Sequence, residues 1–303
     1  MISPQDGFST PPREGFRLTH AHLSLFQILL LALVQGAAEL LPVSSSAHVI
    51  VAEKLLRIDP TTPEATFLLV VLHTGTMLAV ALYFWKAWQR AFFATRQTAW
   101  QYGKRLLFAT FLTGIVGLGL KFVIEKIWLR AIPHAQIEMI FGNLPLMSTS
   151  LAVGGLLILF AGLRKPATAE EHPVGMADSA WIGLVQGLCL PFRGFSRSGA
   201  TISTGLIRDV ARPSAEEFSF ALALLLTPPV LYRELHRAAA VHAFAGASAL
   251  AFRSLLGLLF SFLAGLLALK WLSRWLESGR WHYFGIYCLV ASAVVLGVHL
   301  GGL

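Results

Sequence analysis

Apolar runs recur along this chain, at about Leu23–Leu41, Phe67–Trp85, Leu106–Ile124, Leu144–Leu163, Ala180–Leu190, Phe218–Leu231, Leu255–Trp271 and Tyr283–Leu300. Several reach the ~20 residues a helix needs to cross a bilayer. The ~10-residue strict alternation of a membrane β-barrel is absent. Only 13% of the 303 residues are charged and 55% are apolar, too little charge to cover a soluble protein of this length. The expected fold class is therefore an all-α polytopic membrane protein. The net charge of +8 is best accounted for by loop arginines and lysines facing anionic headgroups, with attraction of an anionic substrate as the alternative. No basic stripe interleaved with exposed aromatics argues for nucleic acid. Cys189 and Cys288 sit in apolar runs without metal-ligand spacing and are expected to be buried filler.

Two of these runs contain residues that lipid expels. LVQGAAELLPVSSSAH spans Leu33 to His48, and LVQGLCLPFRGFSRSGAT spans Leu184 to Thr201. They open with the same four letters about half a chain length apart. The first carries Gln35, Glu39, Ser44, Ser45, Ser46 and His48; the second carries Arg193, Ser196, Arg197, Ser198 and Thr201. Ionisable groups inside hydrophobic segments are costly and mark functional sites. One motif is acidic, the other cationic, and both are rich in hydroxyls. Together they suit an anion and a metal.

The repeat extends past the motifs. Pro63-Glu64-Ala65-Thr66-Phe67 aligns with Ser214-Ala215-Glu216-Glu217-Phe218, and further apolar helices follow in the same order. Pro42 in one motif, and Pro191 and Gly194 in the other, should break the helix, since proline lacks a donor and clashes with the preceding turn. Neither motif segment is long enough for two crossings, so each is expected to be a re-entrant helix pair. Three crossings per half then give two inverted-topology repeats whose broken helices meet near the midplane. The expected organisation is a polar segment 1–22, a first repeat 23–163, a connecting loop 164–179 and a second repeat 180–303. A signal peptide ending near Ala38 is the weaker alternative, because its cleavage would discard half of the repeated motif. The stretch Lys86 to Arg105 contains five basic residues and no acid, which places it on the cytoplasmic side and the first motif toward the outer face.

Gln35 and Glu39 are four apart and share a helix face. Both can reach one hard cation, magnesium or calcium, which takes oxygen ligands. Glu39 can alternatively serve as a general base. Gln35 can alternatively bond a neighbouring helix. A serine in Ser44-Ser45-Ser46 becomes a nucleophile once Glu39 or His48 takes its proton; the three serines can also cap a helix beginning near Ala47. The Gly194–Thr201 stretch combines close backbone approach, hydroxyls and the planar fork of Arg197, a phosphate-binding set. Arg193 can add a phosphate contact, pair with Glu39 or reach headgroups.

These residues resemble the undecaprenyl-diphosphate phosphatase family of bacterial membranes, associated with bacitracin resistance. Its (E/Q)xxxE motif matches Gln35 to Glu39, its PVSS and histidine match Pro42–Ser45 and His48, and its PGxSRSxxT motif matches most of Arg193–Thr201. The resemblance covers nearly the whole chain. It implies removal of the terminal phosphate of a C55 isoprenyl diphosphate at the outer face of the inner membrane, recycling the cell-wall lipid carrier with the help of a divalent cation, Mg2+ or Ca2+. Carried over by motif, Gln35 and Glu39 hold the metal or the water, and Arg197 holds the diphosphate. Ser45 is the favoured nucleophile, with His48 an alternative nucleophile or proton carrier. Ser44, Ser46, Arg193, Ser196, Ser198 and Thr201 complete the phosphate contacts. Gln35 stands where many members have glutamate and Arg193 where they have proline; glutamine is no base at neutral pH, so catalytic weight shifts to Glu39. The partners expected are an isoprenyl diphosphate lipid, the bilayer and, as an assembly to test, a second copy of the chain. The alternatives are a polyprenyl-phosphate flippase on the same scaffold, or a paralogue acting on another isoprenyl diphosphate.

Overall fold

The computed structural model describes residues 23–59, 62–130, 132, 136–164, 171–240 and 247–301. The expected polar segment 1–22 and most of the connecting stretch, 165–170, lie outside these residues. Helices α1 (Leu25–Leu40), α2 (Ser45–Leu55), α3 (Pro63–Phe93), α4 (Arg96–Val123) and α5 (Leu144–Leu163) form the first half. Helices α6 (Met176–Cys189), α7 (Arg197–Ile207), α8 (Arg212–Ala240), α9 (Ala247–Glu277) and α10 (His282–Leu300) form the second. Each half reads short, short, long, long, long. Among the described residues no strand occurs, and five helices are long and apolar enough to cross a membrane. This is an all-α polytopic membrane protein.

The long helices overrun the apolar runs. α3 has 31 residues and α9 also has 31, where the hydropathy pattern outlines about 17–19. The extra turns carry Arg90 in α3 and Arg274 in α9, polar ends that hydrogen bonding extends past the apolar core. α4 faces outward, with Leu107, Phe111, Ile115, Leu118 and Phe122 exposed along one stripe, as a lipid-facing helix requires.

Small residues set the helix packing. A Cβ on Gly36 would lie 2.6 Å from both the Ser261 carbonyl oxygen and the Ala264 Cβ of α9. A Cβ on Gly187 would lie 2.9 Å from the Thr113 carbonyl oxygen and 2.6 Å from the Val116 Cβ of α4. Both glycines follow the glutamine of the shared LVQG, and both meet a carbonyl and the Cβ three residues on. The repeated letters thus encode a repeated contact.

Helix directions follow from such pairs. Gly257 approaches Ile28 and Leu72, whereas Gly265 approaches Leu40 and Ala79, so α1 and α3 both run parallel to α9. α1 and α3 therefore start from the same end. Gly183 on Ala109 and Gly187 on Thr113 make α6 parallel to α4. Ser148 bonds Ser292 while Gly155 abuts Gly285, so α5 and α10 are antiparallel.

A single large core cluster joins the halves, with Val80, Phe84, Phe218, Phe220, Leu269 and Trp281 among its members. The Phe84 ring stacks on Phe220 with centroids 5.4 Å apart, and the Trp281 indole donates to Ser203 at 2.9 Å. At the far end of α7, Arg208 pairs with Asp178 of α6 at 2.6 Å and Arg164 pairs with Asp209 at 3.4 Å. These ties hold α7 at its base and leave its N-terminus to the site.

Candidate active site

α1 stops at Leu40 because Pro42 cannot extend the hydrogen-bond ladder. The chain turns through Ser44, whose φ of 68° and ψ of 94° lie outside the usual regions for a residue with a side chain. Such a conformation costs ~1–3 kcal/mol and persists only where the surroundings enforce it. α2 then starts at Ser45. In the second half α6 ends before Pro191, and the turn needs Gly194 at φ 98°, where a Cβ would strike the Met147 carbonyl. α7 starts at Arg197, capped by Ser196, which accepts from the Gly199 amide at 3.2 Å.

The two turns are stitched together. The Gly194 amide donates to Ser46 Oγ at 3.3 Å, and Ser198 Oγ donates to the Leu41 carbonyl at 3.4 Å. Cys288 Sγ donates to the Pro42 carbonyl at 3.3 Å, and both cysteines are buried and free.

Glu39 is the hub. Its Oε1 accepts from Arg197 at 2.9 Å, and its Oε2 accepts from Ser45 Oγ at 2.5 Å. Gln35 Nε2 donates to Oε2 at 3.3 Å, and His73 Nε2 stands 3.4 Å from the same oxygen. The first residues of both short helices therefore meet one carboxylate, one on each oxygen. Residues 158 apart in sequence are brought into a charge-assisted contact inside an apolar protein. The Glu39 side chain is only 9% exposed, whereas His73 is 41% exposed and forms the open edge of the cluster.

Of the residues singled out from sequence, the structure gathers Gln35, Glu39, Ser45 and Arg197. Others stand apart. His48 Nδ1 contacts the Ser44 carbonyl at 2.8 Å, its Nε2 contacts Tyr287 Oη at 2.6 Å, and its ring stacks on that tyrosine. Neither ring nitrogen meets Glu39 or Ser45. Arg193 lies over the Phe141 ring at 4.5 Å, and Arg197 rather than Arg193 pairs with Glu39. Thr201 is fully buried, with its hydroxyl engaged by the Arg197 carbonyl and Ser219. The Ser44–Ser46 run does not cap a helix at Ala47: α2 begins two residues earlier, no side chain caps it, and Ser44 Oγ instead meets Ser46 Oγ at 3.2 Å. The first-turn amides of α2 thus keep their anion-binding character.

His73 was not foreseen. Its signal is present, since a histidine in the apolar run Phe67–Trp85 breaks the same rule as Glu39. Its place beside Glu39 depends on how α3 packs against α1.

Among the described residues no group of three or more His, Cys, Asp or Glu side chains stands together. A divalent cation would rely on fewer charged ligands. Glu39 Oε2 and the Gln35 amide are 3.3 Å apart, within the ~3.0–3.4 Å that two neighbouring ligands of one such ion keep. Rotating the amide by half a turn brings its oxygen inward. The residues fit a hard ion completed by water and phosphate oxygens.

On another face of α1 lies an apolar cavity of about 470 Å³, walled by Val34, Ala38 and Leu41 of α1 and by Trp271, Trp275 and Phe284. His48 and Tyr287 add polar groups to its wall. Ala38 is one residue from Glu39, and His48 is one turn from Ser45.

Residues 28–294 match the model of the family described as bacitracin resistance protein BacA. The chain belongs to the BacA family. A relative from Acinetobacter baylyi, named undecaprenyl-diphosphatase 2, is 52% identical over 92% of this chain and 99% of its own length. Relatives named undecaprenyl-diphosphatase from Desulfosudis oleivorans and Bacteroides fragilis are 34% and 30% identical, each over 90% of this chain and 97% of their own.

Proposed function

We propose that this BacA-family protein is a membrane phosphatase that hydrolyses undecaprenyl diphosphate to undecaprenyl phosphate and inorganic phosphate. Ser45 Oγ, held 2.5 Å from Glu39 Oε2, is the observation that carries the reading. A carrier of intact phospholipid needs phosphate binders, but not a hydroxyl aligned on a carboxylate.

In the proposed reaction Ser45 Oγ attacks the terminal phosphorus and passes its proton to Glu39 Oε2. The bond from phosphorus to the bridging oxygen breaks, its electron pair leaves with undecaprenyl phosphate, and Glu39 passes the serine proton to that leaving oxygen. Water then attacks the phosphoserine and gives a proton to the emptied Glu39, which hands it to Ser45 Oγ as the bond from phosphorus to Oγ breaks and phosphate departs. Arg197 and the first-turn amides of α2 face the phosphoryl oxygens and offset their charge, which is most of what this transfer asks of a protein. Direct attack by water, with Glu39 as base, is the runner-up mechanism. A divalent cation, Mg2+ or Ca2+, held by Glu39 and Gln35, supplies Lewis-acid neutralisation of phosphate charge when bound. Ser46, Ser196 and Ser198 shape the phosphate cradle through the turns they fix, and Thr201 supports it from behind. The start of the isoprenyl tail occupies the aromatic cavity beside α1, in the size range of ligand pockets, and the rest extends into lipid.

The opposed starts of α1–α2 and α6–α7, with α1 parallel to α9 and α6 parallel to α4, support two inverted repeats at 23–163 and 180–303. Basic residues Lys86, Arg90, Arg96, Lys104 and Arg105 around the α3–α4 turn support a cytoplasmic position for that turn. The proposed location is the bacterial inner membrane, with the site open to the outer face. Phosphate release by purified protein in detergent, from C55 and C15 isoprenyl diphosphates, tests the activity. Near-normal turnover in both Glu39→Ala and Arg197→Ala would rule the site out.

A further inference from the structure

We infer that Tyr287 and His48 are positioning residues of the proposed reaction: together they hold the Ser44 carbonyl, and with it the turn that aims Ser45 Oγ at Glu39. The inference rests on the reading of Ser45 as nucleophile and deepens it.

The turn between α1 and α2 lacks the usual fastening. The carbonyl of the residue before a helix ordinarily accepts the first backbone hydrogen bond of that helix. At α2 this bond, from the His48 amide to the Ser44 carbonyl, is stretched to 3.5 Å, and no side chain caps the helix. The His48 imidazole takes the carbonyl instead, with Nδ1 2.8 Å from the same oxygen. A carbonyl oxygen only accepts, so Nδ1 carries a proton. Nε2 is left to Tyr287 Oη at 2.6 Å, where the phenol donates to a neutral ring and accepts from a protonated one. In both states Nδ1–H stays on Ser44.

α10 supplies the fixed end. Next to Tyr287, Cys288 Sγ donates to the Pro42 carbonyl at 3.3 Å. Consecutive residues of α10 thus reach the carbonyls of Pro42 and Ser44, on either side of Val43, one directly and one through His48. α10 is itself seated on α5, with Gly285 against Gly155 and Ser292 bonded to Ser148. Ser44 sits at φ 68° and ψ 94°, a conformation that persists only while its surroundings enforce it. Ser45 follows it directly and places Oγ 2.5 Å from Glu39 Oε2. Freeing the Ser44 carbonyl lets the turn relax and carries Ser45 off the carboxylate. Tyr287 and His48 also line the aromatic cavity proposed for the isoprenyl tail, so contact with the tail is the rival role. Phenylalanine at 287 separates the two, because it keeps the ring and removes the hydroxyl.

The test uses full-length protein in detergent and phosphate release from C15 isoprenyl diphosphate. Asparagine places a donor where histidine has Nδ1, and glutamine places one where it has Nε2. His48→Asn should therefore keep about half or more of the wild-type kcat, whereas His48→Gln and Tyr287→Phe should each lose about fivefold, with KM within about twofold of wild type. Tyr287→Phe should cost nothing further in the His48→Gln background, because its effect passes through the imidazole. Hydrogen exchange of the Val43–Ala47 amides, read without substrate, should quicken in His48→Gln and Tyr287→Phe and stay near wild type in His48→Asn. A His48→Asn no faster in turnover than His48→Gln, a Tyr287→Phe loss that appears in KM or persists in His48→Gln, or unchanged exchange in all three variants would overturn the inference. Wild-type protein that releases no phosphate fails the proposed function, and the exchange rates still decide whether the pair holds the turn. Wild-type turnover with the variants in the wrong order leaves that function standing and removes only the positioning role.

Discussion

Replacing Gly36 by alanine tests whether the site is positioned by helix packing or by its own polar contacts. The added methyl carbon would sit 2.6 Å from a carbonyl oxygen and 2.6 Å from a Cβ of α9, and neither atom belongs to a flexible side chain. Ordinary contact needs ~3.5–4 Å, so α1 and α9 must part by about 1 Å. Overpacking of this kind costs about 1–3 kcal/mol. The functional cost should exceed the thermal one. Gly36 lies between Gln35 and Glu39, so a 1 Å shift of α1 moves the carboxylate relative to Ser45 and Arg197, which ride on α2 and α7. A misplacement of that size costs about 100-fold in rate, or about 2.7 kcal/mol. The assay is phosphate release from C15 isoprenyl diphosphate at saturating substrate, alongside thermal unfolding in the same detergent. Gly103→Ala is the control: nothing lies within 4 Å of its new Cβ, and removing a helical glycine is neutral or slightly stabilising. If Gly36→Ala keeps more than half of the wild-type rate, the claim that α1–α9 contact sets the Glu39 geometry is wrong.

Ser45→Ala should abolish measurable phosphate release, while His48→Gln should lower it less than about tenfold, because losing a true general acid or base costs about 10²–10⁴-fold. Equal losses in the two would return His48 to the chemistry. Arg197→Lys keeps the charge but not the planar fork that holds Glu39 and that the proposed reaction also turns to phosphate, so turnover should fall about 10²–10³-fold. Activity near wild type would show that a point charge suffices. Away from the site, the His172 ring contacts the Pro173 carbonyl at 2.9 Å and the Arg208 carbonyl at 3.1 Å, with Asp178 at 3.7 Å. The Pro173 contact, helped by the two aspartates nearby, holds the His172 pKa above its usual 6.5. Its stabilisation is then full below pH ~6.5 and is lost as pH rises through the raised folded value. Unfolding temperatures measured from pH 6 to 8 should fall in the wild type and flatten in His172→Gln; equal slopes would refute the linkage.

Much of the site was legible because lipid is an unforgiving solvent. Gln35, Glu39, Ser45 and Arg197 stood out as polar groups in apolar surroundings, and the structure gathers all four. His48 stood out equally and is bound instead to Ser44 and Tyr287. Sequence spacing puts Ser45 and His48 one helical turn apart, but it does not say which side of α2 faces Glu39. His73 was hidden for the converse reason, as a solitary histidine with no motif around it. Helix existence was readable from hydropathy; helix ends were not, because hydrogen bonding carries α3 and α9 past the apolar stretch that marks them.

What the letters alone determined is a membrane-embedded helical chain with a recurring LVQG and one acidic and one basic break, because hydrophobicity, proline placement and recurring residues act locally and leave their marks in order. Only the tertiary structure decided that Glu39 takes Arg197 on one oxygen and Ser45 on the other, with His73 at its open edge. Those contacts depend on glycine-thin approaches between helices distant in sequence, such as Gly36 on Ser261, and a contact set by three-dimensional packing has no linear signature.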